Sequence, residues 1–436
     1  MESTPLDPRL RLVEQADLKG KIVLVRVDHN VVKKGRIKDP YRIDATFGTL
    51  YTIVEKGGRP ILITHVGRPR DKKTGNISCK EDQSVEPIAA YLRQKLGVKI
   101  HIPRFPIDPE KGILHIDDSI RPAIEELKTG NISIIYLPNS RWFQGEQSSG
   151  KVRESFAEEL AELADIFVND AFGSWQPHAS TYDVARRLPS YAGPLLKREI
   201  ENLYRALEPQ RPFLAIIAGA KYDTKIGPVK ALYDRVDHLI LGGLMYNTFL
   251  SAKYDLEISG VSEEDRNLAA ELVELDKEMG KVLDLPYLVE ADTMQGKVKK
   301  SYRTRSLEKL KEKGSAGYIL DVAPRSLENQ AVHEAIKSAR TIFTNAVMGF
   351  MPDFFEGSRA LYEAIAANRS ALKLFGGGDT LEALKTLCPG IYLQGLDAPD
   401  TYYFTGGGSV LAALEQGSPY GLKPVEVLMD GNYSGG

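Results

Sequence analysis

Residues 22–30 read Ile22-Val23-Leu24-Val25-Arg26-Val27-Asp28-His29-Asn30. A nearly continuous aliphatic run is the mark of a parallel strand covered on both faces, which has no solvent side to leave polar. The polar triplet Asp28-His29-Asn30 follows at its carboxyl end, the edge at which open α/β sheets hold ligands. Comparable runs recur at 60–64, 98–102, 132–137 and 165–169, then at 213–218, 238–241, 317–322, 341–344, 372–375 and 401–404. Between them lie helix-period stretches, among them 85–96, 155–164, 263–279 and 358–367. Such alternation implies right-handed crossovers and parallel sheets. Eleven strands strain one open sheet, so the chain is expected to form an α/β protein of two domains, 1–194 and 213–418. The linker, 195–212, begins as a helix so rich in charge (Arg198, Glu199, Glu201, Arg205) that it is expected to be largely solvated.

Over 436 residues, 57 Lys+Arg meet 59 Asp+Glu, a formal net charge of −2. Proteins that live on nucleic acid carry a basic excess, so no such partner is expected. Cys79 and Cys388 lie far apart without metal-type spacing, which reads as reduced thiols in a cytoplasmic protein. The opening segment resembles no secretory leader. No apolar run nears the roughly 18–20 residues of a membrane span, so no membrane partner is expected either. The expectation is a soluble monomer acting on small molecules.

Four strand ends in the first half converge on one chemistry. Thr64-His65-Val66-Gly67-Arg68-Pro69, Asn139-Ser140-Arg141-Trp142 and Asp170-Ala171-Phe172-Gly173 join the opening triplet, with Arg42 and His178 close by. Arginine forks match carboxylate and phosphate oxygens. Any one of these residues alone is an ordinary surface arginine or core histidine; their recurrence at strand ends carries the reading. In the second half, strands run into Gly376-Gly377-Gly378-Asp379-Thr380 and Thr405-Gly406-Gly407-Gly408-Ser409, with helices expected from Leu381 and Val410. Glycines let backbone approach a phosphate, a helix N-terminus supplies donors, and Asp379 offers a carboxylate to Mg²⁺. Lys221 and Lys225 stand four apart after the strand at 213–218 and would share a helix face. No P-loop and no dinucleotide fingerprint occur. A basic half facing a glycine-rich half suits phosphoryl transfer between a nucleotide and a small anion.

At these residues the chain resembles the phosphoglycerate kinase family. Residues 23–30 resemble the family's VRVDFN segment with His29 in place of Phe, and 64–69 resemble SHLGRP. Residues 168–173 match VNDAFG, 377–380 match GGDT and 405–408 match TGGG. Ala218-Gly219-Ala220-Lys221 with Lys225, and Gly242-Gly243-Leu244-Met245 with Thr248-Phe249-Leu250, resemble two further family segments in the same order. The resemblance implies two Rossmann-like domains with parallel sheets, a connecting helix and a hinge-bending cleft between them. It also implies that the tail, 419–436, returns to the first domain. The implied reaction is reversible phosphoryl transfer between 1,3-bisphosphoglycerate and ADP. The implied 3-phosphoglycerate site is Asp28, Asn30, Arg42, His65, Arg68 and Arg141. The implied nucleotide site is Gly219, Lys221, Lys225, Gly243, Asn345, Gly377, Gly378, Asp379 and Thr380, with Mg²⁺ on Asp379. Arg42, Lys221, Gly378 and Gly408 would stabilise the transferring phosphoryl.

Two departures stand out. Gln176 occupies the place of the family's phosphate-clamping arginine, with Arg186 and Arg187 as candidates to take over its charge. Pro352 occupies the place of its ribose-binding glutamate, with Asp353 and Glu356 as candidates to reach instead. Alternatives therefore stay open: a non-catalytic binding protein of the same fold, or a kinase for another small carboxylate.

Overall fold

All six residues of Ile22–Val27 are buried, as a strand covered on both faces requires. In the computed structural model, which describes residues 6–219 and 226–429, this strand (β1) lies inside a six-stranded parallel sheet. The others are β2 (Arg59–Ile63), β3 (Ile100–His101), β4 (Ile134–Tyr136), β5 (Ile166–Asp170) and β6 (Ser190–Ala192). Their order is β6-β5-β1-β2-β4-β3. The chain steps from β1 to β2 on one side, then crosses to β5 on the other. That reversal opens a crevice at the carboxyl end of β1, where the quoted triplet begins.

A second parallel sheet has order β8-β7-β12-β13-β14, built from β7 (Phe213–Gly219), β8 (His238–Gly242), β12 (Thr341–Asn345), β13 (Leu372–Phe375) and β14 (Thr401–Tyr403). Its reversal falls between β7 and β12, whose carboxyl ends are Gly219 and Asn345. The stretch expected as a parallel strand at 317–322 belongs elsewhere. Tyr318–Val322 (β11) pairs antiparallel with Tyr287–Ala291 (β9), which also pairs with Tyr302–Ser306 (β10). Both sheets and their helices form Rossmann-like α/β units, with β9–β11 an antiparallel addition to the second.

Contacts divide the chain into one unit of Met1–Glu201 with Tyr420–Gly436, and another of Asn202–Pro419. The division falls within the helix Pro194–Leu207. That helix is less solvated than its charges lead one to expect. Glu199 is fully buried, and Arg198 alone among its residues is exposed. Its first turn is held by Asp170 at the end of β5, whose Oδ1 accepts from Leu195 N–H (3.0 Å) and Leu196 N–H (3.1 Å). Burial pushes the Asp170 carboxyl up to about 6. The late segment Leu422–Met429 packs in the first unit: Asn169 Nδ2 donates to Pro424 O at 3.1 Å, and Arg11 N–H to Leu428 O at 3.3 Å. No helix among the described residues is long and apolar enough to cross a membrane.

Candidate functional site

The carboxyl ends of β1, β2 and β4 bring together five of the six residues expected to hold an acid substrate. Asp28 is 3% exposed, and its Oδ2 accepts from Arg42 Nη1 at 3.2 Å. Its other oxygen, Oδ1, is buried with no hydrogen-bond partner among the described residues. A buried acceptor left unmade costs about 1–3 kcal/mol, so this oxygen has room for one more donor. Asn30 and Arg141 brace a single turn: Asn30 Oδ1 accepts from Gly67 N–H (2.9 Å), and Arg141 Nη1 donates to Gly67 O (2.6 Å). Gly67 has φ +64°, the left-handed region that favours glycine. The next residue, Arg68, is exposed and makes no hydrogen bond or ion pair among the described residues. It is the free fork of the group. Burial lowers the pKa of Arg141, but a guanidinium remains charged throughout the working pH range.

His29, where the family segment has Phe, is a core residue. It is fully buried between Tyr136 OH (2.9 Å from Nδ1) and Thr46 Oγ1 (3.1 Å from Nε2). Burial holds its pKa down to about 3, so it is neutral. His65 is also neutral: burial first, then Arg141, Arg26 and Arg42, drive its pKa well below the usual value. His178 is half-buried and likewise lowered, by burial foremost and against the attraction of Glu146.

Gln176 is exposed, and its backbone carbonyl accepts from Thr181 Oγ1 at 2.8 Å. The two arginines suggested as stand-ins are already engaged. Arg187 donates to Asp183 O at 3.1 Å and lies 3.5 Å from Glu158, and Arg186 lies over the Tyr182 ring.

The second unit builds its edge from backbone. Gly243 (φ +61°) begins the helix Gly243–Tyr254 and bridges to Gly219; a Cβ on it would stand 3.2 Å from Gly219 O. The two triple-glycine turns touch each other. A Cβ on Gly407 would lie 2.4 Å from Gly377 Cα and 3.0 Å from Asn345 Nδ2. The helices Gly378–Leu387 and Gly407–Gln416 begin on the glycines themselves, three residues earlier than the apolar pattern implies. Leu381 N–H bonds Gly377 O and Val410 N–H bonds Gly406 O, so the amides of 378–380 and 407–409 have no intrahelical acceptor. Gly378, Asp379 and Gly408 are exposed there, while Thr380 is buried. Such a pair of helix N-termini is an anion cradle.

Asp379 makes no hydrogen bond or ion pair among the described residues. No group of three or more His, Cys, Asp or Glu that could hold a metal occurs among them. One free carboxylate beside a phosphate cradle fits Mg²⁺, which takes one or two carboxylates plus phosphate oxygens and water. Lys221 and Lys225 lie outside the described residues. Pro352 and Asp353 are exposed, and Glu356 is ion-paired with Lys297.

Sequence reasoning passed over two members of the first site. Arg26 and Glu146 are each 1% exposed, and both belong to the polar network around His65. An arginine inside an otherwise aliphatic strand was the available signal.

A family model described as phosphoglycerate kinase matches residues 13–417. A phosphoglycerate kinase of Dictyoglomus turgidum is 38% identical over 421 residues, covering 95% of this chain and 97% of that protein. One of Moorella thermoacetica is 36% identical over 409 residues, covering 92% and 95%. Among solved structures, phosphoglycerate kinase from Coxiella burnetii is similar with a TM-score of 0.71 at 30% identity, covering 95% of this chain and 97% of that one. The enzyme from Pyrococcus horikoshii shares the fold, with a TM-score of 0.74 at 23% identity over 96% and 99%.

Proposed function

We propose that this chain, which belongs to the phosphoglycerate kinase family, transfers a phosphoryl group reversibly between 1,3-bisphosphoglycerate and ADP. The observation that carries this reading is the pairing of two complementary edges in one chain. One is a cationic, hydroxyl-accepting edge around Asp28, and the other is a glycine-built anion cradle around Asn345. In the first unit, Asp28 Oδ1 would accept a substrate hydroxyl, while Arg68, Arg141 and the His65 N–H would face its anionic groups. Asn30 would act through the Gly67 turn. Arg42 would place fixed positive charge on the transferring phosphoryl, where charge develops. A carboxylate acceptor needs little deprotonation, so no side chain is assigned as general base.

In the second unit, Gly219 and Gly243 would admit the nucleotide close to the backbone. Asn345, Gly377, Gly378, Thr380 and Gly408 would surround its phosphates, with Lys221 and Lys225 supplying charge. Asp379 would hold Mg²⁺, which when bound with the nucleotide neutralises phosphate charge. The same reading makes the chain a cytoplasmic monomer with small-molecule partners only. Domain limits follow the family pattern, 1–194 with the tail against 213–418.

The test is a coupled assay with ATP, Mg²⁺ and 3-phosphoglycerate. Turnover is expected, falling by about 10²–10³-fold in Arg42→Ala and in Lys221→Ala, the loss typical of one transition-state donor. No turnover with ATP binding retained would reject the reading and favour a binding protein or a kinase of another carboxylate.

A further inference from the structure

Strand β1 buries a guanidinium to which the proposed reaction gives no part. Arg26 donates from Nε to Ser180 Oγ (3.0 Å), from Nη1 to Val27 O and from Nη2 to Ser174 Oγ (3.3 Å). Nη2 also lies 3.1 Å from His65 Nδ1. Burying a cation is costly unless an anion and hydrogen bonds match it. Glu146 is that anion: it accepts from Ser180 Oγ (2.7 Å), Ser180 N–H (3.0 Å) and Ser140 Oγ (2.9 Å). Cation and carboxylate thus share Ser180, and the network ties β1 to the segments following β2, β4 and β5.

A guanidinium has only donors. At 3.1 Å the contact is therefore Nη2–H donating to Nδ1, and Nδ1 carries no proton. The ring proton sits on Nε2, which makes no hydrogen bond among the described residues, and His65 keeps 8% of its surface exposed. A proton on Nδ1 would set N–H against N–H. The charged and titratable groups facing His65 oppose a second positive charge as well. They are Arg26 on β1, Arg42 on the helix Tyr41–Asp44, Arg141 after β4 and His178 after β5. The nearby anions, Asp28 and Glu146, face Arg26.

We infer that Arg26 is a positioning residue that locks His65 in its neutral, Nε2-protonated form, so that an anionic substrate meets one fixed N–H donor. This rests on the reading of the first unit as the phosphoglycerate side. An ordinary histidine switches charge near neutral pH, and the affinity of the site for a carboxylate or phosphate would switch with it. Burial and the surrounding arginines remove that switch, and the Arg26 contact fixes which ring nitrogen carries the proton.

The test uses the full chain and begins without substrate. Long-range proton–nitrogen spectra of the imidazoles, with His65 assigned through His65→Gln, are expected to show the Nε2–H tautomer and no titration from about pH 6 to 8.5. A wild-type His65 protonated on Nδ1, or titrating near the ordinary value, overturns the inference whether or not the chain turns over phosphoglycerate. The expected spectrum from a chain that lacks turnover supports it and rejects only the proposed substrate. Arg26→Met removes the donor. His65 should then populate the Nδ1–H tautomer as well, and KM for 3-phosphoglycerate should rise about 10-fold, with kcat less affected. Arg26→Lys, a donor-only cation, should restore the tautomer and most of KM. Equal loss in both variants with the His65 spectrum unchanged is the signature of a merely structural role and overturns the inference. Should Arg26→Met fail to fold, the wild-type and Arg26→Lys spectra still decide.

Discussion

The two units meet the same problem, an anionic ligand, with different materials. Around β1, β2 and β4 the first unit uses side chains, namely Arg26, Asp28, Arg42, His65 and Arg141, most of them buried and joined by hydrogen bonds. At the ends of β7, β12, β13 and β14 the second unit presents mainly backbone, with glycines packed where a side chain has no room. A site of side chains is set by charge and hydrogen bonding and is open to titration. A site of backbone is set by volume and is built from groups that do not titrate. Perturbations of the first should act through charge and pH, and those of the second through space.

The harshest way to break this contrast is Gly407→Ala. The new methyl would stand 2.4 Å from Gly377 Cα and 2.5 Å from its nitrogen, both backbone atoms that cannot step aside. We expect kcat/KM for ATP to fall by about 100-fold or more, the scale of an ångström-sized misplacement. A variant within a few-fold of wild type would show that volume does not govern that edge.

Next is acid sensitivity, which the contrast assigns to the first unit. His29 has a folded pKa of about 3, against an unfolded value of about 6.5. As pH falls below the unfolded value, the unfolded chain takes the proton first and stability declines until the folded value is reached. The loss from His29 alone is roughly 2 kcal/mol by pH 5, with His65 acting in the same direction. His29→Phe should therefore shrink the drop in urea-unfolding stability between pH 7 and pH 5 by about that amount. An unchanged drop would mean His29 is not the acid-labile group.

Asp28→Asn keeps the shape and removes the charge. KM for 3-phosphoglycerate should rise about 10-fold if Asp28 Oδ1 takes a substrate hydroxyl. Tighter binding would show instead that Asp28 serves only as counter-charge to Arg42. Smallest is Gln176→Arg, which should lower KM by about 3–5-fold and lose that gain as salt is raised, because the position is exposed. No change at low salt would mean another residue already grips the phosphate.

Much of this was readable before any coordinates. The buried strand Ile22–Val27 and the glycine turns declare themselves because hydrophobic continuity and glycine runs are local signals. The network around Arg26 is not local: Ser180 lies 154 residues away, and in sequence Arg26 is only an interruption in an aliphatic run. The antiparallel strand Tyr302–Ser306 escapes for another reason. Its arginines at 303 and 305 bond Glu290 on the neighbouring strand, so the pattern resembles a polar loop. The connecting helix misleads in the opposite sense, since its charge suggests solvation while Glu199 is buried.

The return of residues 422–429 to the first unit bears on how the chain is made. Leu422, Val425 and Leu428 are buried there, and Pro424 accepts from Asn169, next to the aspartate that holds the connecting helix. Domains usually fold from the N-terminus as they leave the ribosome. Here the first unit emerges before the second yet lacks part of its own core until residues 202–419 have been translated. A segment made after the second unit completes the core of the unit made before it.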